Sequence, residues 1–189
     1  MIPTVRDRMT TEFVQLSLNQ SLTSAQVAMQ DKPGLLGIIL DGENHPVTIV
    51  ALESLDGEKE KLPDQPLVLL VSKLPPGIVV SADMTLETFV SNSAFIALDE
   101  GARGAIVTDQ DKVIGLLTED TIDNYLAQEF ESSIRTKGDS GLAGSIVTGL
   151  VVIYCEEFGH RNELRYFSRH KLPDCQVKQP YTHPLRRKV

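Results

Sequence analysis

The sequence contains an internal repeat, which constrains the fold more than any other feature. The segment GLLGIILD begins at Gly34, and the segment GARGAIVTD begins at Gly101, 67 residues later. At that offset the second glycines, Gly37 and Gly104, also coincide, and each precedes a run of three apolar residues. Such a short apolar run is typical of a buried strand. We therefore predict two copies of one structural unit.

The match continues on the amino-terminal side of both copies. FVQLSLNQSL, residues 13–22, aligns with GIVVSADMTL, residues 77–86, at an offset of 64. The offset therefore grows by three residues within the segments that follow, which have apolar residues at helical spacing. We predict that the helix of the second copy is nearly one turn longer than the helix of the first.

Each copy predicts the same order of elements. A short alternating strand is followed by a Ser or Thr suited to an N-cap, a helix, a glycine, an apolar strand, a polar turn and a second apolar strand. In the second copy a long amphipathic helix follows, from Glu119 to about Thr136, and Gly138 comes just after its end. The predicted class is α+β, with two tandem β-α-β-β-α units and a small carboxyl-terminal β-hairpin.

The repeat resembles a pair of CBS domains, the small modules first noticed in cystathionine β-synthase. The landmarks are VRDRMTT (5–11), the helix entries NQSLTSA and DMTLETF, and the segment GAIVTDQDKVIGLLTEDTI, so the resemblance covers roughly residues 1–136. It implies that the two units pack pseudo-symmetrically and that two chains form a homodimer. The predicted divisions are a first unit (1–72), a second unit (73–136), a Gly/Ser linker (137–148) and a zinc-ribbon-like tail (149–189).

The resemblance implies a regulatory module whose clefts bind adenosine-containing ligands. The family pattern is Gly-h-h-Thr-x-x-Asp, in which h is apolar and the Asp holds the ribose hydroxyls. The second copy has GLLTEDT, from Gly115 to Thr121, so Asp120 comes one residue early and Thr121 stands at the Asp position. Thr121 still offers a hydroxyl to a ribose. The predicted ligand-binding residues are Thr118, Asp120, Thr121 and the nearby cation Arg103. Arg6 and Arg8, near the first strand, are further candidate cations.

Charge restricts the ligand that such a cleft accepts. Glu119 and Asp120 occupy the first turn of the predicted helix, where they oppose an anion at the helix N-terminus. AMP or S-adenosylmethionine is therefore favoured over ATP, although stabilisation of the helix dipole explains these acids equally well. In the first copy, Ala51 and Ser54 stand where the Thr and the Asp are expected. The first cleft thus has neither residue of the pattern.

Composition and charge argue against several other classes of protein. The formal net charge is −8 and the chain has no Trp, so the body is expected to repel nucleic acid. The opening MIPTVRDRMT lacks the apolar core of a signal peptide, and the longest apolar stretch falls short of the roughly 20 residues that span a bilayer. We expect a cytoplasmic protein that binds neither nucleic acid nor a membrane.

The tail holds both cysteines of the chain and three of its four histidines. It resembles zinc ribbons of the form Cys-x-x-Cys-Gly-x-x-Asn followed by Pro-x-Cys and a His, with Phe158 where the second cysteine belongs. Closed structural zinc sites use four Cys or His ligands. Two interpretations stay open: a bound zinc ion, or a degenerate ribbon that keeps the hairpin without metal. The candidate metal ligands are Cys155, His160, Cys175 and His183, with His170 as the alternative to His160.

These features lead to three functional hypotheses. The first is a non-enzymatic regulatory or adaptor protein that senses an adenosine-type ligand, dimerises, or does both, and contacts a protein partner through the tail. The second is an oligomerisation scaffold without a small ligand. The third, a metal-dependent enzyme that uses the tail, is disfavoured because a ribbon offers no substrate cleft. No catalytic residue is assigned, since the protease-like segment GDSG (138–141) has the composition of a flexible linker.

Overall fold

A computed structural model of the 189-residue chain has an α+β fold with two sheets, so the predicted fold class is confirmed. It describes residues 3–59, 65–91, 95–99, 101–133, 149–155, 157–164, 173–177 and 185. The strands are β1 (Val14–Ser17), β2 (Gly37–Leu40), β3 (Pro46–Val50), β4 (Gly77–Ser81), β5 (Gly104–Asp109), β6 (Lys112–Thr118), β7 (Leu150–Tyr154) and β8 (Arg161–Leu164). The helices are α1 (Leu22–Gln30), α2 (Leu52–Lys59), α3 (Leu86–Val90), α4 (Ile96–Asp99) and α5 (Glu119–Ser133).

The two units repeat one strand arrangement. In the first unit β1 pairs in parallel with β2, and β2 pairs antiparallel with β3; in the second unit β4, β5 and β6 pair in the same way. The helices also start alike. The hydroxyl of Ser21 caps α1, and the hydroxyl of Thr85 caps α3, each by accepting a hydrogen bond from the amide three residues later. The predicted order β-α-β-β is therefore present in both copies.

The helical segment of the second unit differs from the prediction of a single longer helix. Its described residues form two short helices, α3 and α4, where the first unit has the nine-residue α1. Phe89 of α3 is fully buried, and its ring meets that of Phe95 edge to face, with the ring centres 5.9 Å apart. The extra length of the second copy is thus divided between two helices that share one core.

The strand register corrects the sequence alignment by one residue. Val14 and Ile78 stand at equivalent positions of β1 and β4 at the offset of 64. Val14 pairs with Gly37, whereas Ile78 pairs with Ala105. The structural equivalent of Gly37 is therefore Ala105, and the sequence alignment on Gly104 is wrong.

The reason for this correction is the alternation of side chains along a strand. With the corrected register, Ile39 and Val107 are equivalent, and each lies in the core beneath its own unit's helices. A slip of one residue would turn one of them to the opposite face of its sheet. The alignment of Gly34 on Gly101 still agrees with their left-handed backbones, with φ of 84° and 89°. One extra residue consequently lies between Gly101 and Ala105, the structural equivalent of Gly37.

The segments that precede the two units are exchanged between them. Residues 3–10 lie against the second unit, where Val5 is part of the core and its amide donates to a carbonyl oxygen at 2.8 Å. Residues 65–74 lie against the first unit, where Leu67 is part of the core and its amide donates to a carbonyl oxygen at 2.9 Å. The amino-terminal segment, which lies within the predicted range 1–72, therefore packs on the second unit.

The two sheets contact each other through an apolar layer and one close backbone approach. Gly77, the first residue of β4, lies against the backbone of β3, and a Cβ atom built on it would be 2.0 Å from the carbonyl oxygen of Val47. Only glycine has the space for this approach. The buried residues of the apolar layer are Ile38, Leu40 and Ile49 from the first unit, and Ile106 and Leu116 from the second.

The tail hairpin extends the sheet of the second unit. Strand β7 pairs antiparallel with β4, and β8 pairs antiparallel with β7, so the five strands have the order β6-β5-β4-β7-β8. Val151, Ile153 and Leu164 are buried in the core of the second unit. The predicted hairpin is present, and it covers an edge of the sheet that would otherwise expose unpaired backbone groups. The predicted linker, 137–148, lies outside the described residues.

Candidate functional site

Two of the predicted ligand-binding residues meet at the start of α5. Thr118 ends β6, and its hydroxyl oxygen accepts a hydrogen bond from the amide of Thr121 at 3.3 Å, as an N-cap does. The hydroxyl oxygens of Thr118 and Thr121 are 2.8 Å apart. Thr118 therefore fixes the first turn of the helix and holds the hydroxyl of Thr121 in place.

Thr121 lines an open depression of about 390 Å³ between the amino-terminal segment and α5. This volume lies within the range of about 300–1,000 Å³ that small-molecule sites occupy. Asp120 and Arg103 are exposed and are not part of the lining. The structure thus brings Thr118 and Thr121 together but places the other two predicted residues elsewhere. The lining residues are Asp7, Arg8, Met9, Thr121, Asn124 and Tyr125.

The charges around the depression nearly cancel. The amide and hydroxyl of Thr4 both donate to the carboxylate of Asp7 at 2.8 Å, and these hydrogen bonds lower the pKa of Asp7. The neighbouring Arg6 bonds the carboxylate of Asp109 at 2.8 Å, which raises the pKa of Arg6 and keeps that side chain paired. Arg8 is the one cation among the described lining residues. One acid and one base favour a ligand of low net charge.

Sequence reasoning identified only Arg8 of the opposite wall of this depression. Asp7, Arg8 and Met9 precede the first unit in the chain, and only the exchange of the leading segments brings them to the second unit. The segment VRDRMTT was a landmark of the resemblance and supplied Arg6 and Arg8 as nearby cations, but Asp7 and Met9 were not assigned to a cleft. This exchange brings together segments that are distant in the chain, and local periodicity carries no information about such contacts.

The corresponding positions of the first unit keep a hydroxyl but lack the capping threonine. The register of β3 places Ala51 where the second unit has Thr118, and Ser54 where it has Thr121. The amide of Ser54 donates to the backbone carbonyl of Ala51 at 3.1 Å, so the helix start is not held by a threonine cap. The two units therefore differ in the residues that would hold a ligand.

Three of the four predicted metal ligands converge in the tail. The ligand atoms of Cys155, His160 and Cys175 all lie within 4.8 Å of one another, and Cys175 Sγ is 3.7 Å from His160 Nδ1. Both cysteines are buried. The predicted fourth ligand, His183, and the alternative, His170, lie outside the described residues. The structure therefore brings together the thiol that follows β7, the imidazole that precedes β8 and the thiol of the segment 173–177.

A tight loop after β7 shapes this cluster. The amide of Phe158 donates to Cys155 Sγ at 3.2 Å, and the amide of Gly159 donates to the Cys155 carbonyl at 2.9 Å. The amide of Cys155 in turn donates to the carbonyl of His160 at 2.9 Å. Gly159 has a left-handed φ of 67°, which a residue with a side chain rarely adopts. The loop thus presents one backbone donor, the amide of Phe158, to Cys155 Sγ and places His160 beside Cys175 Sγ.

Two further residues hold the loop, and the sequence had given neither of them this role. The buried side chain of Asn162 donates to the carbonyl of His160 at 2.9 Å and accepts from the amide of Gln176 at 2.6 Å. It therefore connects the loop to the segment that carries Cys175. The ring of Phe158 stacks on that of His160, with the centres 5.5 Å apart and an angle of 23° between the planes. Phe158, at the position where the ribbon pattern has its second cysteine, thus packs on the histidine.

Arg161 joins the tail to the first unit. Its guanidinium donates to the carbonyl of Pro46 at 2.7 Å, and it pairs with the carboxylate of Glu163 at 3.0 Å and with that of Asp41 at 3.9 Å. The neighbouring Tyr154 is partly buried, and this burial raises the pKa of its hydroxyl. The hairpin therefore contacts both units, through β4 in the second and through Arg161 in the first.

Replacing Arg161 with methionine is expected to loosen this contact. The change keeps an apolar stem but removes a charged hydrogen bond worth about 1.5–3 kcal/mol in typical cases. We expect a loss of unfolding free energy toward the lower end of that range, measured by urea unfolding, and faster hydrogen exchange in β7 and β8. Arg103→Met, at an exposed position, is the matched control and should change stability by less than about 0.5 kcal/mol. Equal effects of the two changes would contradict the assignment.

Comparison with known proteins identifies the fold. No protein-family model and no curated protein sequence matches the chain. The soluble part of a magnesium transporter superposes with a TM-score of 0.52 and 24% identity, over 67% of this chain and 48% of that one. The CBS domain of a Clostridium difficile 630 protein assigned as a transporter gives a TM-score of 0.51 and 18% identity, over 67% and 95% of the two chains.

A third solved structure is a CBS domain pair in complex with 5′-methylthioadenosine and S-adenosyl-L-methionine. It gives a TM-score of 0.50 and 15% identity, and the match covers 68% of this chain and 99% of that one. At these identities the likeness is one of fold. The chain therefore has the fold of a CBS domain pair, as the repeat predicted.

None of the helices in the described ranges has the length and the apolar character that a membrane span needs.

Proposed function

We propose that this protein is a non-enzymatic regulatory module that binds one adenosine-type ligand of low net charge in the depression of the second unit. The observation that carries the proposal is the position of Thr121. It occupies the ribose-binding position of the CBS pattern, its hydroxyl is held by Thr118, and it faces an open space of about 390 Å³. A hydroxyl at this position offers a hydrogen bond to a ribose.

The lining supports a nucleoside over a nucleotide with several phosphates. Met9 supplies a polarisable surface of the kind that packs well against aromatic rings, and Asn124 supplies an amide for polar contacts. Asp7 and the exposed acids Glu119 and Asp120 would repel a triphosphate, whereas Arg8 balances one negative charge. S-adenosylmethionine, 5′-methylthioadenosine and AMP fit this balance better than ATP does. The first unit lacks the threonine pair, so we propose one ligand per chain.

Calorimetric titration and thermal shift with these four compounds test the proposal. We expect S-adenosylmethionine, 5′-methylthioadenosine or AMP to raise the melting temperature and to bind with a stoichiometry of one, with ATP at least about tenfold weaker. Thr121→Val should reduce the affinity, and Thr121→Asp, which restores the family's carboxylate, should increase it about tenfold through a charged hydrogen bond. Thr11→Val, at an exposed position, is the matched control.

Absence of binding by all four compounds would contradict the proposal and favour an oligomerisation scaffold. Binding that Thr121→Val leaves unchanged would place the ligand elsewhere. Homodimer formation and contact of the tail with a protein partner stay predictions, which sedimentation analysis and pull-down with the full chain would test.

A further inference from the structure

We propose that Cys155, His160 and Cys175 bind a Zn²⁺ ion that fastens the tail hairpin to the second unit. Cys155 and His160 lie between β7 and β8, whereas Cys175 lies in the separate segment 173–177. A bound ion would join these stretches directly. This proposal does not rest on ligand binding in the depression, because the two sites use different residues.

The donor set and its spacing fit zinc. Thiolate and imidazole are the ligands that Zn²⁺ prefers in proteins. Bonds of about 2.3 Å to sulfur and 2.0–2.1 Å to nitrogen, at a tetrahedral angle, place the two ligand atoms about 3.6 Å apart. The observed distance from Cys175 Sγ to His160 Nδ1 is 3.7 Å. The third ligand atom, Cys155 Sγ, lies within 4.8 Å of both.

One backbone donor and an apolar core surround the two sulfurs. The amide of Phe158 points at Cys155 Sγ from 3.2 Å, and a donated hydrogen bond stabilises a charged acceptor more than a neutral one. Cys155 and Cys175 are 0% and 1% exposed and belong to the core of the second unit. Buried negative sulfurs are costly unless a cation neutralises them. A divalent ion between them satisfies that requirement.

Phe158 is a positioning residue in this site. In a ribbon with four cysteines its position would supply a ligand; here its ring stacks on His160 and sets the plane of the imidazole that takes over. Asn162 holds the backbone of the same histidine through its carbonyl. Groups that orient a metal ligand without touching the metal typically contribute 10- to 100-fold in metal affinity. Phe158 thus supplies no ligand itself but orients His160, which does.

The test uses the untagged full chain, because a histidine tag would bind the same ions. Protein purified without chelator should contain about one zinc per chain by elemental analysis. After chelator treatment under reducing conditions, the chain should melt at a lower temperature, and added Zn²⁺ should restore the original value. Added Co²⁺ should give a thiolate-to-cobalt charge-transfer band with tetrahedral ligand-field bands. These measurements on the unmodified chain do not depend on whether any variant folds.

Variants assign the ligands. His160→Ala should lower the affinity for Zn²⁺ by more than the roughly 100-fold upper limit of an orienting group. His45→Ala, which removes a half-exposed histidine of the first unit, should leave the affinity unchanged. Phe158→Ala should lower the affinity about tenfold, and Phe158→Tyr, which keeps the stacked ring, should restore it and the Co²⁺ spectrum. Circular dichroism of each variant checks the fold.

Two results would overturn the proposal. The first is less than about 0.2 zinc per purified chain together with no charge-transfer band when Co²⁺ is added to the reduced protein. The second is an affinity for Zn²⁺ in folded His160→Ala equal to that of the unmodified chain, which would remove His160 from the site.

Discussion

Replacing Phe89 with alanine is expected to lower the free energy of unfolding by about 3–5 kcal/mol. The side chain is fully buried, stacks edge to face on Phe95, and shares its core with β4, β5 and the cysteines of the tail. The cost combines the lost burial of the ring with the cavity that it leaves. Because whole domains are stable by only about 5–15 kcal/mol, this single change should bring the protein close to unfolding.

Urea unfolding followed by circular dichroism measures this effect. Val27→Ala on α1 is the control, since Val27 is 52% exposed and its truncation should cost less than about 0.5 kcal/mol. The core of the second unit includes Cys155 and Cys175, so Phe89→Ala should also make these thiols react faster with a thiol reagent. A loss of less than about 1 kcal/mol would contradict the assignment of Phe89 to a packed core.

Replacing Gly77 with alanine is the second change with a large expected effect. A Cβ atom at this position would lie 2.0 Å from the carbonyl oxygen of Val47, so β3 and β4 must separate to admit it. The obstacle is backbone and cannot rotate away, unlike a side chain. We expect a destabilisation of about 1–3 kcal/mol, as for overpacking in a core, at the point where the two sheets approach each other.

The control for this change is Gly42→Ala. Gly42 lies in the turn between β2 and β3. A Cβ atom built on it would be 4.0 Å from its nearest neighbour, the side-chain amide nitrogen of Asn19. This substitution should change the melting temperature little, whereas Gly77→Ala should lower it by several degrees. If both variants have the melting temperature of the unmodified chain, the close approach of β3 and β4 is wrong.

The elements that the sequence predicted are those with local signals. Strands β2 and β5 begin at a glycine that precedes a short apolar run. Ser21 and Thr85 are N-cap residues that precede segments with apolar residues at helical spacing. The match between the two copies then predicted the pseudo-symmetric pair. The alignment of Gly37 with Gly104 is wrong by one residue because it matches two glycines. The strand register depends instead on which face of the strand each side chain occupies.

The parts that the sequence did not predict depend on contacts between distant segments. No periodicity shows that residues 3–10 pack on the second unit, or that β7 pairs with β4 across the linker. These pairings are decided by which sheet edges are open after each unit has formed. Cys155, His160 and Cys175, which the structure brings together, were candidate metal ligands in the sequence because metal-binding residue types are rare enough to stand out in a short segment.

Chemical-shift mapping with isotope-labelled protein tests whether the second unit holds one adenosine-type ligand. Addition of S-adenosylmethionine or 5′-methylthioadenosine should shift the amide signals of Met9, Thr121 and Tyr125, which line the depression. The signals of Ala51 and Ser54 in the first unit should not move. Shifts centred on Ala51 and Ser54, or no shifts with either compound, would contradict the account.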